Sequence, residues 1–242
     1  MPNSIQSEIQ YFFHEGKENL EECLRIAFET AARRSIQTIV IFTAVGEGPK
    51  LAVEKYFGKP DYEGIKIIAV TFPYGQKFIG YENNPEATQI SPEYRQIFTD
   101  NGIPVVRAHL PFNPVHAHLK GHSAPGQDLT LIGNTLNIFC GSMSLCVQAA
   151  LMACDAGEVE LGEHVIALTS DTAIVARVAP TERFLADFIV REILCKPMSL
   201  TIIKSEARLT DTTSQITLEA SVDSSGEVLD SGDNPPFLGD GM

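Results

Sequence analysis

The residues best placed to bind a ligand form a short loop with two glycines after an apolar run. The run Thr38–Phe42 has the composition of a buried strand, and a helical pattern begins at Pro49. Six residues stand between them: Thr43, Ala44, Val45, Gly46, Glu47 and Gly48. A strand, a glycine turn and a helix place backbone N–H groups and the positive end of a helix dipole at the carboxyl end of the strand. The loop is therefore either a phosphate or carboxylate site or a tight turn without a ligand.

This loop matches neither of the two common nucleotide-binding fingerprints. Gly46 and Gly48 have the spacing that opens GxGxxG, but the third glycine is missing, because Pro49 and two non-glycine residues follow. A P-loop needs Lys and then Ser or Thr directly after its last glycine, and Pro49 stands there instead. Pro49 suits the first turn of a helix, since the N–H that it lacks would have no partner there.

Four of the six histidines form a second cluster: His109, His116, His118 and His122. On an extended segment His116 and His118 would point to one side, and His122 could complete a three-histidine metal site. We favour a polar loop with exposed histidines and predict no metal site, because no nearby carboxylate precedes Asp128 to orient a ligating ring. A histidine over the strand ends could also bind a phosphate or act as a general acid.

Three further charged residues have less specific positions. Lys17 is the best cation near the glycine loop if Gly16–Asn19 lies at the carboxyl edge of the sheet, and otherwise it is a solvated lysine. Asp155 lies at a helix C-terminus and opposes the dipole, which hints at a pairing or a role, but we favour a simple surface aspartate. Asp171 lies between two apolar runs and is predicted to be a turn residue rather than a catalytic base.

Apolar runs that alternate with amphipathic segments predict an α/β domain with a mainly parallel sheet. The predicted strands are Tyr11–Phe13, Thr38–Phe42, Ile65–Thr71, one from Val105, Val165–Thr169, Ala173–Val178 and Val190–Leu194. The predicted helices are Asn19–Arg34, Pro49–Phe57, one from Ser91 to Gly102, Leu129–Phe139, Ser142–Ala156 and Thr181–Phe188. One crossover helix fits between the second and third strands, so these two should be parallel. Phe72–Ile90 and His109–Gln127 are predicted to be irregular.

Composition bounds the class of protein. The 242 residues are 44% hydrophobic, which allows a substantial core, but no apolar run approaches the roughly 18 residues of a membrane span. The N-terminus lacks the basic and apolar regions of a secretory signal. The five cysteines are few, odd in number and set in apolar segments, which predicts reduced core residues in a cytoplasmic protein. The net charge of −13 argues against nucleic acid as a partner.

The acidic charge is concentrated near the C-terminus. Residues 209–242 carry seven acidic side chains and no Lys or Arg. We predict an α/β domain over residues 1–204 and a flexible acidic extension over 205–242, with Ser214–Leu218 as one candidate strand within it. Such an extension could recruit a basic partner. The sequence leaves open whether the chain forms a homo-oligomer.

Three segments, taken in order, resemble the C-terminal α/β domain of pyruvate kinase. They more closely resemble a stand-alone family related to that domain, known from archaea and some bacteria. The segments are Gly16–Asn19, then Ile39–Lys50 with Ile67–Thr71, then Cys146–Gly157 with His164–Ala167 and Val190–Ile193. The resemblance implies a three-layer α/β/α sandwich and covers about residues 10–198.

The resemblance also implies a ligand. In pyruvate kinase the loop that matches Thr43–Gly48 holds a phosphate of a sugar-phosphate effector, and the stand-alone family is similar in fold and can hold flavin mononucleotide, with no established reaction. Carried over, the loop would contact a phosphate and Thr71 would lie at the end of the neighbouring strand. This chain differs from the family at Glu47, and at Thr169–Thr172, where a glycine-rich turn is expected.

These observations lead to three hypotheses. The first is binding of a phosphorylated small molecule, with flavin mononucleotide (FMN) as the first-choice cofactor and a sugar phosphate as the second. Its binding residues would be Thr43, Ala44, Val45, Gly46, Glu47, Gly48, Thr71 and Lys17, and Phe72, Tyr74 or the histidine loop would hold a flavin ring. The second is a metal- or histidine-dependent enzyme acting on a phosphorylated substrate, and the third is an interaction protein that uses its acidic tail. No catalytic residue is assigned, and whether the protein is an enzyme stays open.

Overall fold

The predicted apolar runs form the middle of a sheet. The structure is a computed structural model, and it describes residues 4, 7–79, 85–113 and 127–198. The strands are β1 (Gln10–Phe12), β2 (Thr38–Phe42), β3 (Lys66–Thr71), β4 (Lys77–Ile79), β5 (Pro85–Ala87), β6 (Val105–Arg107), β7 (His164–Leu168), β8 (Ala173–Arg177) and β9 (Ile189–Pro197). The α-helices are α1 (Leu20–Arg34), α2 (Glu47–Lys55), α3 (Pro92–Asp100), α4 (Gln127–Leu136), α5 (Met143–Asp155) and α6 (Phe184–Asp187). Every residue of β2 is buried, as expected for a central strand of a parallel sheet with both faces covered.

The main sheet has the strand order β1-β9-β8-β7-β2-β3-β6. β2 pairs in parallel with both β3 and β7, β3 with β6, and β1 with β9. β8 is antiparallel to both of its neighbours. The prediction of a mainly parallel sheet is therefore confirmed, and so is the parallel pairing of β2 with β3.

Helices cover both faces of the sheet, which gives three layers. On one face, Ile39 and Ile41 of β2 lie in a core with Phe28 of α1 and Phe98 of α3. On the other face, Val40 and Phe42 of β2 lie in a core with residues of α5 such as Leu151. The alternation along β2 follows from the two-residue repeat of a strand.

Several predicted boundaries are wrong by a few residues, and one predicted loop contains strands. Helix α2 begins at Glu47, not Pro49, because Gly46 is its N-cap and Pro49 lies inside the first turn. Within Phe72–Ile90, β4 and β5 form an antiparallel pair of three-residue strands, too short for a periodic pattern to reveal. The helix predicted to end at Phe139 ends at Leu136, and β9 extends to Pro197.

The start and end of α3 were predicted from local residues. Ser91 is the N-cap, and its side chain accepts a hydrogen bond of 3.2 Å from the backbone N–H of Tyr94. Gly102, with φ of 65°, ends the segment in the left-handed conformation that glycine allows. Both features confirm the predicted boundaries.

Ser35 ends α1 in a conformation that is unfavourable for its side chain. Its φ is 56°, and among the described residues no other non-glycine residue has a positive φ. We expect Ser35→Gly to raise the free energy of unfolding by about 0.5–1 kcal/mol, since about 1–2 kcal/mol of left-handed strain is removed and part is offset by the greater freedom of glycine in the unfolded chain. Urea denaturation of both proteins measures this change in the free energy of unfolding. Ser35→Ala should give no gain, and a Ser35→Gly protein less stable than the wild type would contradict the assignment.

All five cysteines are free, and four of them are buried. Burial raises the pKa of the Cys23 and Cys146 thiols well above its ordinary value. The prediction that cysteines are core residues is confirmed for all but Cys154, which is half-buried. In the described part of the chain, no helix has both the length and the apolar character needed to cross a bilayer.

Some predictions fall outside the described residues. These are the domain boundary at residue 204, the candidate strand Ser214–Leu218, the acidic extension, and His116, His118 and His122. They stay predictions.

Candidate functional site

A cavity of about 180 Å³ lies where β2 and β7 end. The two strands are parallel neighbours, but β2 leads to β3 on one side and β7 leads to β8 on the other. In an open α/β sheet a crevice forms where neighbouring strands lead in opposite directions, and ligands bind at the carboxyl ends of such strands. The position of this cavity therefore identifies it as the candidate site.

The loop that follows β2 forms one wall of the cavity. Five of its six residues line it: Thr43, Ala44, Val45, Glu47 and Gly48. The sixth, Gly46, lies behind them with φ of 99°, a conformation that glycine allows. The Gly46 N–H donates a hydrogen bond of 2.9 Å to the Thr43 hydroxyl oxygen, which closes the turn.

Four backbone N–H groups of this loop have no hydrogen-bond partner in the part of the chain that the structure describes. They belong to Ala44, Val45, Glu47 and Gly48, whereas the Lys50 N–H already donates to the Gly46 carbonyl oxygen at 3.1 Å. The first N–H groups of a helix lack internal partners, and successive N–H groups in a turn form a concave site for anions. The wall of the cavity can therefore donate several hydrogen bonds to one anion.

A second helix also begins at the cavity. Ser142, the N-cap of α5, and Leu145 in its first turn both line the cavity. α2 and α5 pack on opposite faces of the sheet, and each directs the positive end of its dipole to this edge. Both helix dipoles therefore favour an anion in the cavity over a cation.

Lys17 lies at the same edge, in a short 3₁₀ helix, Lys17–Asn19, that precedes α1. It lines the cavity, is exposed, and forms no ion pair in the described residues. The structure thus places Gly16–Asn19 at the carboxyl edge, which was the condition for Lys17 to face a ligand. Glu47 also lines the cavity and adds a negative charge at its rim.

Asp171 is fully buried beneath this edge. Its carboxylate accepts hydrogen bonds from the Gly16 N–H at 3.1 Å, the Thr172 hydroxyl at 3.1 Å and the Thr169 hydroxyl at 3.3 Å. As predicted it lies in a turn, but its contacts also join the turn after β7 to the segment that carries Lys17. Asp171 is therefore a buried structural residue that connects two walls of the cavity, the turn after β7 and the segment that carries Lys17.

Apolar side chains complete the cavity. Leu20, Phe42, Phe72 and Leu145 line it together with the polar residues Thr169 and Ser170. Phe72 and Tyr74 were both predicted as possible contacts of a flavin ring. Phe72 lines the cavity, whereas Tyr74, which is 79% exposed, does not. The apolar part of a ligand can thus contact Phe42 and Phe72.

Some predicted residues do not reach the cavity. Thr71 is fully buried beside the β2 loop and does not line the cavity, and its hydroxyl has no hydrogen-bond partner among the described residues. His109 is exposed, and its Nε2 contacts the Asn113 carbonyl oxygen. Among the described residues, no group of three or more His, Cys, Asp or Glu side chains is arranged to hold a metal ion.

Asp155 is exposed, as predicted for a surface aspartate, but it also has a polar partner, which was the less favoured alternative. Its carboxylate accepts hydrogen bonds from the Thr181 N–H at 2.8 Å and the Thr181 hydroxyl at 2.5 Å. The first bond satisfies the Thr181 N–H at the start of the 3₁₀ helix Thr181–Arg183. The two bonds together offset the unfavourable interaction of the Asp155 charge with the dipole of α5. Asp155 is a structural residue outside the cavity.

Sequence reasoning missed the cavity residues on α5 and on the turn after β7. Ser142, Leu145, Thr169 and Ser170 all line the cavity. A signal for them was present, since Thr169 follows a predicted strand and Ser142 opens a predicted helix. This signal could not assign Thr169 and Ser142 to the cavity, because the sequence does not show that β7 lies next to β2.

The geometry can be set beside known proteins. No protein-family model matches the chain. Among solved structures, a pyruvate kinase from Cryptosporidium parvum is similar to it, with a TM-score of 0.31 and 18% sequence identity over 69% of this chain and 23% of that chain. The chemistry of the cavity therefore has to follow from its own residues.

Proposed function

We propose that this protein binds a phosphorylated small molecule in the cavity at the ends of β2 and β7, and that it is a relative of the stand-alone pyruvate kinase C-terminal-like family. The observation that carries the first part is the set of four N–H groups without a partner in the described residues. They form the wall of a cavity at the head of a helix. A phosphate offers several acceptor oxygens and a negative charge, which match N–H donors and a positive helix end.

The size of the cavity favours a compact ligand. Its volume of about 180 Å³ is below the roughly 300–1,000 Å³ typical of sites that enclose a drug-sized molecule. A phosphate and a sugar can be enclosed by the described residues, with Phe72 and Leu145 against the carbon atoms. The phosphate of FMN fits the same N–H groups, but its ring would extend past the described walls. A sugar phosphate therefore fits better than FMN.

Charge at the rim would tune the affinity. Lys17 attracts a phosphate and Glu47 repels it, and both are exposed, so each contributes about 1 kcal/mol or less. The N–H groups of the loop and the helix ends do not depend on these side chains. Binding should therefore be driven mainly by the backbone and adjusted by Lys17.

Ligand titrations test the proposal. Ribose 5-phosphate and FMN should each raise the melting temperature, and ribose and riboflavin should not. By calorimetry, Lys17→Gln should weaken ribose 5-phosphate binding about fivefold, which corresponds to about 1 kcal/mol.

Lys59→Gln is the matched control, since Lys59 is exposed and lies outside the cavity. It should bind ribose 5-phosphate as the wild type does. Equal shifts with the phosphorylated and unphosphorylated compounds, or no shift with either, would exclude a phosphate site.

A further inference from the structure

The strand β1 forms one edge of the main sheet. Among the described strands it pairs with β9 alone, so its other side has no neighbouring strand there. The Met198 N–H donates to the Phe12 carbonyl oxygen at 2.8 Å, so the main-chain groups of Phe12 point towards β9. Main-chain groups alternate in direction along a strand, and the N–H and C=O of Tyr11 therefore both point away from β9. These two groups can pair with a further strand.

Exposed apolar side chains surround this edge. Ile9, Tyr11 and Phe13, every second residue of the run that contains β1, are all exposed, Phe13 by 77%. Lys196 connects Tyr11 to a further exposed ring, because its Nζ lies 5.5 Å from the centre of the Tyr11 ring and donates to the Phe139 carbonyl oxygen at 2.7 Å. We call Ile9, Tyr11, Phe13 and Phe139 the β1 edge patch. Contiguous exposed apolar side chains mark interaction surfaces.

The two edges of the sheet differ in their protection against pairing with another chain. The opposite edge strand, β6, directly follows Pro104 and ends with Arg107. Proline and charged side chains at an edge oppose such pairing. Residues 9–13 contain neither a proline nor a charged side chain. The edge at β1 therefore has the composition of a strand that has a partner.

The run is complementary to itself when two copies lie antiparallel about Tyr11. Tyr11 is then opposite Tyr11 of the second copy, and the two residues exchange both of their outward hydrogen bonds. In the same register Ile9 lies opposite Phe13, which brings apolar side chains together. Glu8 lies opposite His14, whose ring can donate a hydrogen bond to the carboxylate. A two-fold axis at Tyr11 generates all of these pairs, as in the interface of a symmetric dimer.

We propose that two copies of this chain pair through β1, antiparallel about a two-fold axis at Tyr11, so that their seven-stranded sheets join into one. The hydrogen bonds, the apolar contacts and the charges all match under this one symmetry, which selects a second copy over an unrelated protein. The inference does not rest on phosphate binding, because no residue of the β1 edge patch lines the cavity.

The mass and the amide exchange of the full chain test the dimer. Sedimentation equilibrium should give the mass of two chains, which dissociate on dilution. The Tyr11 amide should be protected from hydrogen exchange in the dimer and lose that protection on dilution, since its only strand partner lies across the interface. A monomer with a protected Tyr11 amide would overturn the proposal, because another segment of the same chain would then cover the edge. A monomer with an unprotected amide would overturn it as well.

Two substitutions in the β1 run locate the interface. Tyr11→Pro removes an N–H that points away from β9, and an edge strand tolerates proline at such a position. At a concentration where the wild type is a dimer, this variant should be a monomer with an unchanged circular dichroism spectrum. Phe13→Lys, at an exposed side chain, places a charge opposite Ile9 and should raise the dimer dissociation constant at least tenfold. It decides the question if the proline variant does not fold.

Leu185→Lys is the matched control for adding a charge at an exposed apolar residue. Leu185 is 83% exposed, lies on α6 and is not part of the β1 edge patch. The variant should have the dimer dissociation constant of the wild type. If Tyr11→Pro and Phe13→Lys both kept the wild-type constant, the interface would lie elsewhere and the proposal would be wrong.

Discussion

Replacing Asp171 with alanine is expected to lower the free energy of unfolding by about 3–5 kcal/mol. The carboxylate is fully buried and accepts hydrogen bonds from the Gly16 N–H and from the hydroxyls of Thr169 and Thr172. Without it three donors lose a partner, at about 1–3 kcal/mol for each that stays buried and unsatisfied. Chemical denaturation followed by circular dichroism measures the loss.

The same substitution should weaken ligand binding at a distance. Asp171 holds the segment that carries Lys17 against the turn after β7, and both border the cavity. Asp61→Ala is the control, since Asp61 is exposed, and it should change stability by less than about 0.5 kcal/mol. An Asp171→Ala protein as stable as the control would show that the carboxylate does not stabilise the contact between the Lys17 segment and the turn after β7.

Replacing Gly46 with alanine is expected to cost about 2–3 kcal/mol of stability and to abolish phosphate binding in the cavity. The φ of 99° is strained for any side chain, by about 1–2 kcal/mol. A Cβ there would also lie 3.0 Å from Tyr94 Cδ2 and 3.1 Å from Ile90 Cγ2, so the loop or its neighbours must shift. Since Gly46 sets the direction of the flanking N–H groups, a shift separates the donors.

Gly58 is the matched control for backbone strain. Its φ is 71°, and a Cβ there would meet no atom within 4 Å. Gly58→Ala should therefore cost only the strain of about 1–2 kcal/mol and leave calorimetric binding of ribose 5-phosphate unchanged. If Gly46→Ala retained full affinity for ribose 5-phosphate, the loop would be a plain turn.

The central strands could be predicted because their pattern is local. Both β2 and β3 are covered on two faces, so each is a continuous apolar run. Ser91 and Gly102 mark the ends of α3 for a similar reason, since caps are set by one or two residues. The pair β4 and β5 was missed because three residues in each strand are too few to show alternation.

Only one wall of the candidate site, the loop after β2, could be predicted, because a single continuous segment forms it. The β2 loop is a strand, a turn and a helix in sequence, so its position at the strand end follows from order alone. Ser142 and Thr169 reach the cavity because β7 inserts beside β2, and this order is decided by packing of the whole sheet. The burial of Asp171 depends likewise on the Gly16 N–H, 155 positions away.

The pairing of β1 with β9 has a consequence for how the chain reaches its native state. Among the strands that the structure describes, β1 is the first in sequence, yet its neighbour β9 is the last, and β9, β8 and β7 all lie between β1 and β2. The Met198 N–H donates to the Phe12 carbonyl oxygen at 2.8 Å, which closes this edge. During synthesis β2, β3 and β6 can associate early, whereas residues 10–12 must wait for residues 189–197 to leave the ribosome. Long-range pairing of this kind slows folding, so the completion of this edge should limit the folding rate.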